Sequence, residues 1–322
     1  PAQIKLRYSG ATALQLRAGT AMATTPYGSI TEGAPYSYMQ GSRAPVPSSY
    51  LIAGTELSYA IGDYDHSQTL VIDPSVAWAT YYGGGTEDPV FKTAADTAGN
   101  SYLFTYTGSA NLATSGAHQT TITIGAILLV KFNQAGQRQW STYFGNMVAH
   151  EGAICTHTDG SIYIGGETET STGIATTGAF MTSNPSFPNP FGMLAKFNSS
   201  GIRQWSTYYP TSVSVLKTDF TGNLYIGGIC DDTIRNYATA GAFQTTKAQG
   251  FISKMSADGS RLWSTYFNGF IYGLAVDHLG SFFISGTTTF TTGVGTAGTF
   301  QPSLTMFSAG AFGAKFHTSG SR

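Results

Sequence analysis

The chain has 322 residues, 10% of them charged, and 16 basic against 17 acidic side chains leave a formal net charge of -1. That length suits one large all-β domain or two smaller ones, each with its own core. The charge balance lacks the positive field that a phosphate backbone demands, so nucleic acid is excluded as an expected partner.

The opening "PAQIKLRYSG" carries no basic-then-apolar export signal, and the chain reads as a mature piece or an excised fragment of a longer one. Residues 1–74 hold short alternating segments such as "IKLRYSGA", "GSITEGAPYSYMQG" and "YAIGDYD". They predict a small β-rich, sandwich-like domain that ends where Asp73-Pro74 breaks the strand pattern. Within it, Asp63, Asp65 and His66 in "GDYDHSQ" resemble an acid-base cluster but fit a solvated hairpin tip better.

From residue 75 onward the chain repeats itself. Trp78, Trp140, Trp205 and Trp263 are spaced by 62, 65 and 58 residues and open the phrases "WATYY", "WSTYF", "WSTYY" and "WSTYF". A hairpin follows each, with Gly99, Gly160, Gly222 and Gly280 at one site and Asp96, Asp219 and Asp277 three residues before it. A carboxylate there can accept backbone N–H groups while the glycine takes a positive φ. One Asp per turn supplies one hard ligand where calcium wants six to eight, and His157 replaces it in the second repeat. Next come "SGAHQTT", "TGAFMTS", "AGAFQTT" and "AGTFQPS", then strands centred on Lys131, Lys196, Lys254 and Lys315 and followed by Arg138, Arg203, Arg261 and Arg322. The lysines are expected to lay their stems over a neighbouring sheet and bring the ammonium to the surface.

Each period thus holds four strand signals separated by turn residues. Strands as apolar as "GMLAKF" and "NLYIGG" call for burial on both faces, which a radial stack of four-stranded blades provides. The predicted fold is all-β: a β-propeller of four repeats over residues 75–322, each about 60 residues long. No apolar run approaches the roughly 18 residues that span a bilayer.

Candidate chemistry is sparse. His150, Glu151, Cys155 and His157 in "HEGAICTHTD" form a weak metal candidate, because Ile154 stands where a helical H-E-x-x-H site needs its second histidine. Cys155 and Cys230 either pair or remain buried thiols, and their redox state stays open. Aromatics placed in loops, Phe187, Phe191, Tyr237 and Phe290, are the candidates for ligand contact. No catalytic residues and no cofactor are expected, since neither a G-x-S-x-G elbow nor a phosphate-cradling glycine loop occurs.

The "WSTYFG", "DxxGN-Y" and "AKFNxxG" elements over residues 77–322 resemble the SBBP repeat family, named for a seven-bladed propeller and common in secreted proteins of Bacteroidota. Residues 1–76 resemble the uncharacterised β-rich domain that precedes such repeats. The resemblance implies export, often by the type IX route, and brings no established catalytic residues. The family's glycine-acidic loop survives as "GGGTEDP" after the first Trp phrase only.

The function expected is therefore a non-enzymatic extracellular or cell-surface scaffold, an adhesion or surface-assembly component that binds a protein or glycan through propeller loops. The alternative is a polysaccharide-recognition module or a hydrolase-associated domain with a site at the propeller axis. If four repeats are the whole ring, "AWATYY" should pair with "FGAKFH" at Ala311–His317 and close it by strand exchange. Otherwise the repeats form an arc of a larger ring or are completed by another molecule, and in each case the blades are expected to break inside the sequence repeat.

Overall fold

A computed structural model describes residues 4–26, 28–74, 78–145, 152–230, 237–304 and 309–320. They contain strands and turns and no helix, and therefore no helix long and apolar enough to cross a membrane. The chain divides into two compact units, Pro1–Ala79 and Thr80–Arg322.

The first unit carries three antiparallel sheets of three strands. One contains β1 (Lys5–Arg7), β7 (Ser48–Ala53) and β8 (Glu56–Ile61), in the order β1-β8-β7. Another is the meander β2 (Ala13–Arg17), β3 (Thr20–Thr25) and β4 (Gly28–Glu32). The third places β5 (Pro35–Met39) between β6 (Pro45–Val46) and β9 (Leu70–Pro74). The first two of these sheets share a small core of Leu14, Ala21, Ala23, Tyr50 and Leu57.

The second unit is a row of four antiparallel meanders, each with its strands in chain order. The first sheet comprises β10 (Val90–Ala95), β11 (Ser101–Thr107), β12 (Ala126–Phe132) and β13 (Arg138–Phe144). The second comprises β14 (Gly152–Thr156), β15 (Ile162–Thr168), β16 (Phe191–Phe197) and β17 (Arg203–Tyr209). The third comprises β18 (Val215–Thr218), β19 (Leu224–Ile229), β20 (Gly250–Met255) and β21 (Arg261–Phe267). The fourth has three described strands, β22 (Phe270–Val276), β23 (Phe282–Thr288) and β24 (Gly310–Phe316). First strands lie side by side along the row, β10 against β14, β14 against β18 and β18 against β22.

The sheets break inside the sequence repeat, as expected: the Trp phrase ends a sheet, with Trp140, Trp205 and Trp263 opposite Lys131, Lys196 and Lys254 on last strands. One expectation is corrected here. The closing strand is not formed: residues 78–84 are not in a strand, and among the described residues β24 pairs with β23 alone. Among the described residues three sheets of this unit have four strands and the fourth has three, and no sheet closes on itself.

Apolar cores fill the gaps between consecutive sheets, one with Phe104, Phe144 and Phe197, the next with Tyr209, Leu194 and Phe251, the last with Phe267, Ile271 and Phe316. In the middle of the row both faces of a strand are covered, and "FGMLAKF" of β16 is almost wholly buried. At the end of the row β24 alternates buried and exposed positions. Its open face carries Ala311, Gly313 and Lys315.

The conserved phrasing of the repeats is explained by contacts from sheet to sheet. Indole Nε1 of Trp140 donates to Ser199 O at 3.0 Å, that of Trp205 to Ala257 O at 2.9 Å, and that of Trp263 to Thr318 O at 3.3 Å. Each acceptor lies in a hairpin turn of the following sheet. Tyr163 and Tyr225 reach the same way, donating to Gly222 O and Gly280 O at 3.1 and 3.0 Å.

Candidate functional site

The turn aspartates are structural. Asp96 accepts the backbone N–H groups of Ala98 and Asn100, Asp219 those of Thr221 and Asn223, and Asp277 those of Leu279 and Ser281. In the second sheet Asp159 takes Ser161 N instead, at 2.7 Å. The loop "GGGTEDP" is organised by Asp88, which accepts Gly84 N and the hydroxyls of Thr107 and Ser109. In the first unit Asp65 accepts Ser67 N, Ser67 Oγ and Gln68 Nε2, which hold its carboxyl below the ordinary range. Asp63, Asp65 and His66 are all exposed.

The lysines do not behave as one class. Nζ of Lys131 and Lys196 donates to Ser199 O and Ala257 O, each at 3.2 Å, and so ties each sheet to the next sheet's turn. Lys254 is buried, with Nζ 3.1 Å from Asp219 Oδ2 and 2.8 Å from Tyr225 Oη. Burial opposes its charge, yet Tyr225 and Asp219 outweigh it and raise the ammonium pKa above the ordinary value. The expected surface position of this ammonium is corrected: its own sheet's turn carboxylate captures it. The arginines have a role that sequence reading left unassigned. Arg138, Arg203 and Arg261 donate to the carbonyls of Leu112, Ile174 and Tyr237, pinning the long loop of each sheet.

Of the metal candidate, His150 and Glu151 lie outside the described residues. Cys155 sits in β14 inside the core between the second and third sheets. His157 lies in the turn that follows, beside Gly222 of the third sheet. Among the described residues no group of three His, Cys, Asp or Glu side chains could hold an ion. No disulfide joins Cys155 to Cys230. Burial pushes the Cys155 thiol up to about 12, so its reactive thiolate is suppressed. Native protein at pH 8 is expected to leave Cys155 unalkylated by iodoacetamide over hours, with labelling following denaturation, as read by peptide mass spectrometry. Labelling within minutes in buffer would contradict this burial.

The four candidate aromatics separate into two pairs. Phe191 is corrected from loop to the first residue of β16 and is buried. Tyr237 is buried as well, edge-on to Phe251 at 5.2 Å and hydroxyl to hydroxyl with Tyr209. Its loop is drawn inward because Arg261 and Ser264 both bind its carbonyl. Phe187 and Phe290 are exposed.

Phe290 opens onto a cavity of about 550 Å³ beside β24. Its wall is formed by residues 288–304 and by Ala311–Lys315, with Lys315 as the one ionisable side chain among the described lining residues. Smaller spaces of about 60 Å³ beside Trp140 and about 80 Å³ beside Trp263 lie where a sheet's long loop and Trp strand meet the turn of the next sheet. Phe300, fully exposed beside the cavity, has counterparts in His118, Phe180 and Phe243 that pack against their own and the following sheet.

Residues 1–75 match the family described as a domain of unknown function, DUF7948, in line with the N-terminal resemblance. No curated protein matches the chain. Among solved structures, a protein of unknown function from Bacteroides caccae is similar with 10% identity and a TM-score of 0.36, over 63% of this chain and 54% of that one. This chain therefore spans about half the length of that protein. A structure of BBS1N in complex with ARL6DN is similar with 8% identity and a TM-score of 0.34, over 90% and 80% of the two chains.

Proposed function

We propose that residues 80–322 are a row of β-propeller blades of the SBBP repeat kind, and that the chain is a non-enzymatic interaction scaffold at or outside the cell surface. Support for the blade reading comes from the meanders, which run in chain order from first strands that touch along the row to Trp strands at the far side. The scaffold's partner is a surface protein or a glycan.

The observation that carries the functional reading is the scarcity of ionisable groups in the lining of the cavity of about 550 Å³. Phe290, Phe300, Ala311 and Gly313 are exposed on its wall, and Lys315 is the one ionisable side chain among the described lining residues. An acid-base or nucleophilic site needs several ionisable groups converging in one pocket, whereas apolar contact area with few charges suits recognition. The test is a solid-phase panel of bacterial surface proteins and glycans probed with the full chain and with a Phe290→Ser, Phe300→Ser variant. Binding to a panel member, weakened at least about tenfold in the variant, is expected. Turnover of any glycan, ester or phosphate ester in a parallel substrate panel would overturn the non-enzymatic reading.

A further inference from the structure

The last strand of a meander is a sheet edge, and its outward N–H and C=O groups need partners. In the three four-stranded sheets the sheet's own long loop supplies most of them. In the second sheet Thr176 N and Oγ1 donate to Ser206 O at 2.9 and 3.1 Å, and Ser206 N donates back to Thr176 Oγ1 at 3.1 Å. Tyr208 N donates to Met181 O at 3.2 Å. The Thr207 hydroxyl donates to Tyr208 O at 2.9 Å and accepts Met181 N at 2.8 Å. The outward N–H and C=O groups of both Ser206 and Tyr208 are thus taken. The first sheet repeats the pattern with Thr114 and Gln119 over residues 141–143, and the third with Thr239 and Gln244 over residues 264–266.

Residues 114–119, 176–181 and 239–244 therefore act as straps over the outer edge. Each is shaped by one turn, Ala117 N to Thr114 O, Ala179 N to Thr176 O and Ala242 N to Thr239 O. The strands beneath read "QWSTYF", "QWSTYY" and "LWSTYF". Six-residue segments of this kind, aromatic and uncharged with neither Pro nor Gly, stack readily on copies of themselves. Under its strap such a segment is sealed: Ser206 and Tyr208 are 0% exposed and Thr207 is 1% exposed.

We propose that the straps are edge guards, and that a lifted strap opens a strand edge that pairs with the same edge of a second copy of this chain. A second copy is the fitting partner because the exposed segment meets its own sequence there, with no charge within it to oppose the approach. In an antiparallel pair of "QWSTYY" edges, each copy offers the N–H and C=O groups of Ser206 and Tyr208 that its strap has released. Strap and strand recur together in the repeats because one covers the other. The guard is independent of what the scaffold binds.

The test uses the full chain and lifts the second strap in two ways. Thr176→Val removes the hydroxyl that bonds both Ser206 N and Ser206 O. Gly178→Val strains the turn alone, since Gly178 has a φ of +77° and an added Cβ would meet nothing within 4 Å. Each is expected to speed hydrogen exchange of the Ser206 and Tyr208 amides at least about tenfold, and to speed the conversion of monomer into thioflavin-positive assemblies by a similar factor. The core variant Ile162→Val, compared at an equal unfolded fraction, should keep the wild-type assembly rate. Adding Gln204→Lys to Thr176→Val charges an exposed position two residues before Ser206 on the same edge. It should slow assembly at least about threefold, because like charges meet across the pair, and leave the exchange rates unchanged. Faster exchange without assembly overturns the proposal, as does unchanged exchange in both strap variants. Assembly of the core variant at the strap variants' rate, or no effect of the added lysine, overturns it too.

Discussion

Replacing Asp219 with alanine is expected to destabilise the second unit by about 3–5 kcal/mol, the larger part of a typical domain's stability. The carboxylate is buried and holds Lys254 Nζ at 3.1 Å, with the lysine itself only 11% exposed in its side chain. Removing the acid leaves an ammonium in the core with Tyr225 as its remaining partner. It also releases Thr221 N and Asn223 N, the donors that shape the turn before β19. Asp219→Asn keeps the turn acceptor but not the charge and should cost less, about 2–3 kcal/mol. Substituting Leu for both Asp219 and Lys254 should recover part of the loss. Urea unfolding of the four proteins provides the measurement, and a single-mutant loss below about 1 kcal/mol would show the pair to be solvated.

The same site sets an acid dependence. Burial raises the Asp219 pKa, but hydrogen bonds from Thr221, Asn223 and Lys254 outweigh it, and the net pKa lies below the ordinary value. A carboxyl lowered by folding adds stability that is fully present above its unfolded pKa, near 4. That stability is lost as pH falls through the folded value. The wild-type midpoint should therefore decline on acidification below about pH 4, and Asp219→Asn should decline less steeply.

Replacing Trp205 with alanine is expected to cost about 3 kcal/mol. The indole donates to Ala257 O at 2.9 Å, lies edge-on to Tyr163 at 6.1 Å between ring centroids, and covers the turn glycine Gly259. It is one link that holds the second sheet to the third. Gly259 is constrained twice, since its φ is +90° and an added Cβ would lie 2.9 Å from the indole. Gly259→Ala should thus destabilise by about 1–3 kcal/mol, and the double variant should lose less than the sum because both lesions break one contact. Additive losses in thermal or urea unfolding would mean the ring and the turn act separately.

Much of the local structure is legible in the residues. Asp219 followed three residues later by Gly222 specifies the turn, because a carboxylate acceptor and a positive φ suit few other residue pairs. Alternation in "GAFGAKF" against the continuous apolar run of "GMLAKF" distinguishes a strand with one open face from one covered on both. Arg203 and Thr176 recur at their sites in the repeats, but nothing in sequence spacing tells that they grip a loop carbonyl and a strand backbone. Those partners are some 30 residues away, at Ile174 and Ser206 respectively.

What the sequence by itself determined is the repeat period, the turns and most of the strands, among them those of Trp140, Trp205 and Trp263, because these follow from side-chain periodicity and from the φ values that Gly and Asp permit. The tertiary structure alone decided that the Trp78 phrase does not close a sheet, since residues 78–84 are not in a strand and only long-range pairing settles whether a strand signal finds a partner. It alone placed Phe191 and Tyr237 in the core and Lys254 beside Asp219, because burial depends on what packs over a residue and not on the residue's own neighbours in the chain.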